Sequence, residues 1–220
     1  MQREANRYYG FTAQQTLELV QSLYEKKLLT YPRTDSQFLT EDMEGTARLV
    51  ISIVCRKLPL FIGLSHEPDI QRVINNAKVT DHHAIIPTVQ LDTQDIGELP
   101  QSEQKILSLI GMRLLAATGE KHLYDETRIT VLCEGYEFKA KGKTVVQDGW
   151  KSIEMRFRAS LDGKEKDEPE QVLPDLREGT VLESVTSSVT EHFTSPPKAF
   201  TEDTLLSAME TAGNEGFDED

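Results

Sequence analysis

The sequence predicts an α+β fold: a helical, tyrosine-bearing first half followed by an antiparallel β segment. Two observations predict it. Apolar residues recur at steps of three and four through residues 12–28, 41–58 and 102–118, the period of a helix with one buried face. From residue 127 the period falls to two, with Gly135, Gly142 and Gly149 as punctuation, the pattern of short strands joined by turns.

The first helix is expected over 12–28. Thr12 and Gln15 have capping-box spacing, and Ala13, Leu17, Val20, Tyr24 and Leu28 share a face. It must stop before Pro32, because the residue preceding a proline is pushed to extended geometry. Tyr31 therefore sits in an extended turn beyond a helix end, with Lys26 and Lys27 in the last turn where cations suit the dipole. A second helix follows Thr40, with acids in its first turn and Met43, Ala47, Val50, Ile51 and Val54 inward. It ends before Pro59. Residues 59–100 are mixed and carry TDHHAIIPT at 80–88. A third helix runs from about Ser102 to Thr118, stopped by Gly119.

Strands are expected at 127–132, 137–141 and 143–146. A further strand is expected at 151–158, with Ile153, Met155 and Phe157 on one face. Residues 162–171 read as a solvated loop. Strand character returns at 181–193, Pro196-Pro197 breaks it, and Thr201 opens a last helix over 202–211; the tail from 214 carries no fold signal. The partition that follows is 1–122 for the helical tyrosine domain, 123–193 for the β-rich segment and 194–220 for the start of a further helical segment.

Of the 220 residues 38% are hydrophobic and 28% charged, as in globular proteins with a real core. The longest apolar run, 49–55, is broken by Ser52 and too short to span a bilayer. The polar N-terminus has no signal-peptide core. Cys55 and Cys133 stand far apart without metal-ligand spacing, which argues against a zinc site or a disulfide framework and favours a reducing cytoplasm. The net charge of −13 argues against nucleic acid when read globally. Regionally it does not: residues 161–220 hold 16 acids and 4 bases, whereas 1–160 hold 21 and 20.

The stretch richest in chemistry is LLTYPRTDS at 28–36. A free phenol, with a pKa near ~10, is a poor nucleophile at neutral pH and needs a positive charge, base or metal beside it. Arg33 lies two residues on, the same side of an extended chain. A guanidinium can grip a phosphate through two parallel hydrogen bonds. The pair suits attack on a phosphodiester, with Tyr31 supplying the oxygen and Arg33 supporting charge on the phosphoryl group. Thr34, Asp35 and Ser36 can tie down the turn. The same residues also fit a plain Tyr-Pro turn with an Arg33–Asp35 surface ion pair.

His82 and His83 are adjacent, so in an extended segment they face opposite sides and do not share a metal. One of them, turned toward Tyr31, can bond a phosphate oxygen or move a proton; two loop histidines bonded to backbone are the alternative. Arg3 and Arg7 can touch phosphates, but arginines at exposed helix ends commonly do nothing special. Tyr8, Tyr9 and Phe11 suit core anchoring better than base stacking. Lys139, Lys141 and Lys143 alternate along one strand and either face a nucleic acid or form a solvated face. Trp150 reads as a packing anchor. Neither a glycine-rich phosphate loop nor a set of metal ligands is visible.

LLTYPRTDS resembles the active-site motif of type IA DNA topoisomerases. TLELVQSLYEKKL at 16–28 resembles the helix leading into it, and DHHAIIPT at 81–88 the histidine motif of the topoisomerase III branch. FKAKGKTVVQDGW at 138–150 resembles the β-rich arch, and SPPKAFTEDTLLSAME at 195–210 the segment where the chain re-enters the body of the enzyme. The similarity spans nearly the whole chain in the family's order.

The resemblance implies that Tyr31 attacks single-stranded DNA and becomes linked to a 5′ phosphate, that a strand passes through the gap, and that the 3′ hydroxyl reseals it without ATP. Arg33 would place the phosphate, His82 would stand near the reaction, and Asp35 would support the turn; His83 inherits no role. The tyrosine domain would be winged-helix-like. The family's catalytic glutamate and Mg²⁺-binding acids lie in an N-terminal Toprim domain, so the expectation here is a fragment without that domain, without its own cofactor, and inactive alone. A monomer, a cytoplasmic location, no membrane contact and a helicase partner complete the expectation. The competing reading is a non-catalytic DNA-binding or protein-interaction module that keeps the fold.

Overall fold

The computed structural model describes residues 1–161, 173–183, 186 and 188–212. These gather into two compact units. One comprises 1–122, 148–161 and 200–212; the other comprises 123–147 and the described residues of 173–199.

The first unit begins with a helix the periodicity did not announce, α1 (Gln2–Tyr9), closed by left-handed Gly10 at φ 70°. Next comes α2 (Ala13–Glu25), with the expected capping box between Thr12 and Gln15. Its buried stripe is Thr16, Val20 and Leu23; the predicted face is displaced, since Tyr24 is partly exposed. The helix also stops earlier than residue 28. Lys27 adopts φ 60°, its N–H bonds Tyr24 O at 2.8 Å, and Leu28 N–H bonds Leu23 O at 2.9 Å. That is a Schellman closure, with the usual apolar contact supplied by buried Leu23 and Leu28. The stop is thus set by a left-handed residue, ahead of the proline.

A 3₁₀ turn at Glu41–Met43 leads into α3 (Glu44–Lys57), which buries Ala47, Val50, Ile51, Ile53 and Val54. Residues 59–100 form 3₁₀ turns and extended connections. The centre of the unit is α4 (Gln101–Thr118), buried on nearly every side, as a helix without a solvent face must be. Gly111 lets it approach α3: a Cβ there would lie 2.6 Å from Leu58 Cδ1 and 3.4 Å from Val54 Cγ1.

The second unit holds an antiparallel hairpin of β1 (Leu123–Cys133) and β2 (Tyr136–Gln147). Glu134 and Gly135, both with φ above zero, make the two-residue turn, matching the right-handed twist of the strands. The two strands expected at 137–141 and 143–146 are one strand running through Gly142. Paired residues alternate faces. Ile129↔Ala140 and Val131↔Phe138 lie on one; Arg128↔Lys141 and Thr130↔Lys139 lie on the other.

Two expectations fail in the second half. Residues 151–158 are not a strand but α5 (Lys151–Ala159). Ile153 and Phe157, four apart, are buried while Met155 between them is exposed; a strand would have buried all three together. Phe157 is held edge-on by Tyr8, with ring centroids 5.3 Å apart. Among the described residues of 181–193 there is no strand, and Val181, Val189 and Phe193 are exposed, so no apolar face is buried that would hold one. The readings of 162–171 and of the tail lie outside the described residues.

Back in the first unit, the chain closes tightly around residues 119–122 and 148–150. Trp150 N–H bonds Glu120 O at 2.9 Å. Gly149 has φ 53°, and a Cβ there would collide with the Lys121 carbonyl. Trp150 packs on the core, as expected. Finally α6 (Glu202–Thr211) forms where predicted, capped by Thr201 and Thr204. Its buried Asp203 accepts hydrogen bonds from Arg3 Nε at 3.2 Å and from Arg7 Nε and Nη2 at 3.1 and 2.9 Å. Arg3 and Arg7 are therefore structural cations.

Two outcomes follow for stability. Gly149→Ala should lower it by about 1–3 kcal/mol, from backbone strain and the forced shift of residue 121, measured by urea unfolding. For Asp203, burial raises the carboxyl pKa, but the hydrogen bonds from Arg7 and Arg3 outweigh it and leave the pKa below the ordinary value. A depressed folded pKa gives stability that is present above the unfolded pKa and lost as pH falls through the folded one. The stability gap between the wild type and Asp203→Asn should therefore narrow as pH drops below about 4.

Candidate functional site

The residues after α2 do not wander; they pair. Leu29 bridges Pro87 in antiparallel sense. Thr88 N–H bonds Leu28 O and Thr30 N–H bonds Ile86 O, both at 3.0 Å. Thr30 Oγ1 accepts from Ile86 N–H at 3.0 Å and donates to Ala84 O at 3.3 Å. Thr88 Oγ1 donates to Lys27 O. This short two-stranded contact brings LLTY beside DHHAIIPT, 50 residues apart in the chain.

Upstream, the last turn of α2 is anchored to α4. Glu103 is buried, and Lys26 Nζ donates to both its carboxylate oxygens at 2.6 and 2.5 Å while Ser22 Oγ donates at 2.8 Å. A buried carboxylate requires such partners. Downstream, the 33–38 stretch is laced to residues 78–84. Thr34 Oγ1 donates to His82 O at 2.7 Å and accepts from Ser36 N–H at 3.0 Å. Ser36 Oγ donates to Lys78 O at 2.8 Å, and Ala84 N–H bonds Phe38 O at 2.9 Å.

Tyr31 lies between these two sets of bonds. Its ring meets His82 at a centroid distance of 4.3 Å and a tilt of 41°, and meets Tyr24 edge-on at 5.5 Å. The residue is half-buried. Its hydroxyl makes no hydrogen bond among the described residues. By contrast, burial raises the pKa of both Tyr8 and Tyr9, each packed against Phe157. Tyr8, Tyr9 and Phe11 belong to the core side of the alternatives raised by the sequence.

The structure thus brings Tyr31 and His82 together. His83 Nδ1 lies 2.8 Å from Ala84 O. Arg33 and Asp35 are exposed, and among the described residues neither side chain makes a hydrogen bond or ion pair, so they do not pair with each other. The turn bonds come from Thr34 and Ser36. Sequence reasoning missed the site roles of Tyr24, Thr30 and Thr88. Tyr24 was counted as core, whereas it is the penultimate residue of α2 and exposed. Of the strand lysines, Lys139 pairs Glu137 at 2.8 Å and Lys141 pairs Glu126 at 2.7 Å, and Lys143 lies over the Tyr124 ring at 4.0 Å. Among the described residues no group of three His, Cys, Asp or Glu could hold a metal ion, and no helix is long and apolar enough to cross a membrane.

The arrangement is a phenol ring tilted against an imidazole, two residues before an exposed guanidinium that makes no ion pair among the described residues. The sequence pattern of the DNA topoisomerase family matches residues 1–214, and the chain belongs to that family. It is 39% identical over 215 residues to DNA topoisomerase 3 of Bacillus subtilis (strain 168) and 37% identical over 225 residues to that of Bacillus licheniformis. Each alignment covers 96% of this chain but 29% of the relative. The solved structure of full-length topoisomerase I from Thermotoga maritima is similar with a TM-score of 0.64 at 26% identity, over 96% of this chain and 33% of that one.

The closure at Lys27 is testable. A left-handed non-glycine residue costs roughly 1–2 kcal/mol, while a glycine loosens the unfolded chain by about 0.4–1 kcal/mol. Lys27→Gly should therefore raise stability by about 0.5–1 kcal/mol in urea unfolding, without moving the Tyr31 ring signals in an NMR spectrum.

Proposed function

We propose that this chain is the tyrosine-bearing part of a type IA, topoisomerase III-like enzyme. Tyr31 Oη attacks the phosphorus of a single-stranded DNA phosphodiester. The bond from phosphorus to the 3′ oxygen breaks; the phenol gives up its proton and the departing 3′ oxygen gains one. The strand end stays linked as a 5′-phosphotyrosine, a second strand passes, and the 3′ hydroxyl attacks in reverse. One phosphodiester is exchanged for another, so no ATP is consumed.

The observation that supports this reading is the half-buried Tyr31, its ring set against His82 and its hydroxyl without a hydrogen bond among the described residues. Arg33 is proposed to take the phosphate, for which its unpaired, exposed guanidinium is suited. His82 is proposed to bond a phosphate oxygen or carry a proton. The turn support that the resemblance assigns to Asp35 is proposed to fall to Thr34 and Ser36, which make the bonds there. Mg²⁺ and the catalytic glutamate are proposed to come from a Toprim domain elsewhere in the whole enzyme; no cluster among the described residues here suits the ion, and no step above is routed through it. The winged-helix-like description of the tyrosine unit, a monomeric state, a cytoplasmic setting and a helicase partner belong to the same proposal.

The test uses the whole enzyme, single-stranded DNA and Mg²⁺, with denaturing gels to detect covalent adduct. Tyr31→Phe should abolish the adduct and leave non-covalent binding within about twofold. The 220-residue chain alone should form none. Adduct from Tyr31→Phe would remove Tyr31 from its role. A whole protein that binds DNA but never forms adduct would be the non-catalytic module instead.

A further inference from the structure

We infer that Thr34 is a positioning residue that holds His82 on the face of Tyr31, so that the phenol and imidazole are presented to the scissile phosphate as one unit. The inference rests on Tyr31 and His82 acting together in the reaction proposed above.

Tyr31 is bracketed by two threonine hydroxyls. One residue before it, Thr30 Oγ1 is bonded to Ala84 O and Ile86 N–H. Three residues after it, Thr34 Oγ1 is bonded to His82 O. The brackets differ in what they hold. Thr30 belongs to a backbone pairing that also includes Thr30 N–H to Ile86 O and Thr88 N–H to Leu28 O, so its register has other support. His82 has less. It is exposed, and among the described residues it is met by the Thr34 bond and the Tyr31 ring. Its neighbour Ala84 is tied to Phe38, two residues beyond.

Thr34 suits the task chemically. Its hydroxyl donates one proton and accepts at its lone pairs. Here it donates to His82 O at 2.7 Å and accepts from Ser36 N–H at 3.0 Å. Ser36 in turn donates to Lys78 O. The hydroxyl thereby couples the turn that carries Arg33 to the segment that carries His82. A methyl in its place keeps the shape and loses both bonds. Serine keeps the bonds.

Two measurements test this. In NMR spectra of the 220-residue chain, the His82 ring protons should be displaced by the Tyr31 ring current, and Tyr31→Leu should identify that displacement by removing it. Thr34→Val should reduce the displacement at least twofold, with core methyl signals such as those of Leu107 and Leu115 unmoved; Thr34→Ser should keep it. This arm is independent of whether Tyr31 is a nucleophile. In the whole enzyme, Thr34→Val should slow single-turnover adduct formation roughly five- to tenfold, the worth of one hydrogen bond of about 1 kcal/mol or slightly more. Affinity for single-stranded DNA should stay unchanged, and Thr34→Ser should restore the rate. Should the valine variant fail to fold, Thr34→Ala removes the same hydroxyl and must behave alike. A retained ring-current displacement, or a serine variant as slow as valine, overturns the inference. So does a lost displacement with an unchanged cleavage rate. Adduct formation by Tyr31→Phe would instead strike the nucleophile reading and leave the spectroscopic arm standing.

Discussion

The pairing of residues 27–30 with 84–88 is the constraint on which the rest depends. Its energy is modest, a handful of hydrogen bonds each worth about 1 kcal/mol net. Its effect is geometric. It sets two distant pieces of chain in one register, and in an extended backbone a slip of one residue turns every side chain to the opposite face. With Thr30 opposite Ile86, Tyr31 and His82 meet; one step either way, His83 or another residue would stand there. The closure of α2 at Lys27 and the Glu103 anchor of its last turn serve this register, because they decide where the paired segment begins.

Much of this was legible before the structure. The capping box at Thr12 and the limits of α4 and α6 followed from local rules that tertiary packing left intact. Tyr31 was rightly read as lying past the helix, but left-handed Lys27, not the proline, makes the stop. Other features were not legible, for identifiable reasons. The end of α2 uses a lysine where glycine is customary, so composition gave no cue. Residues 151–158 carry apolar groups at 153, 155 and 157, which satisfy a strand; the spacing of 153 and 157 also satisfies a helix, and packing against Tyr8 decided for the helix. Residues 181–193 are rich in β-branched types, but the described ones form no strand, since propensity does not make one without a face to bury. Arg3 and Arg7 read as candidate phosphate contacts because their carboxylate partner lies about 200 residues away.

At the candidate site the sequence named the reacting groups and missed their supports. That division is physical. A nucleophile and a guanidinium declare themselves by residue type. A threonine that holds a carbonyl resembles any surface threonine until the chain has folded around it. The turn was expected to be fastened by Thr34, Asp35 and Ser36; the hydroxyls fasten it, while both charged residues of the motif remain open to solvent. A charge left unpaired at such a turn is available to a ligand that carries the opposite sign.

The bond between Arg3 and Asp203 has a consequence for how the molecule assembles. The first unit is sewn from three stretches of sequence, and the hairpin is threaded between two of them. The entropy of joining ends grows only slowly with the length enclosed, by about 0.6 kcal/mol per doubling, so the long detour is tolerable at equilibrium. Kinetically it is not neutral, since contacts between remote positions delay the search for the native topology. Seating of α6 on α1 is therefore the natural late event in refolding, and a nascent chain emerging N-terminus first would hold Arg3 and Arg7 without Asp203 until α6 has been made.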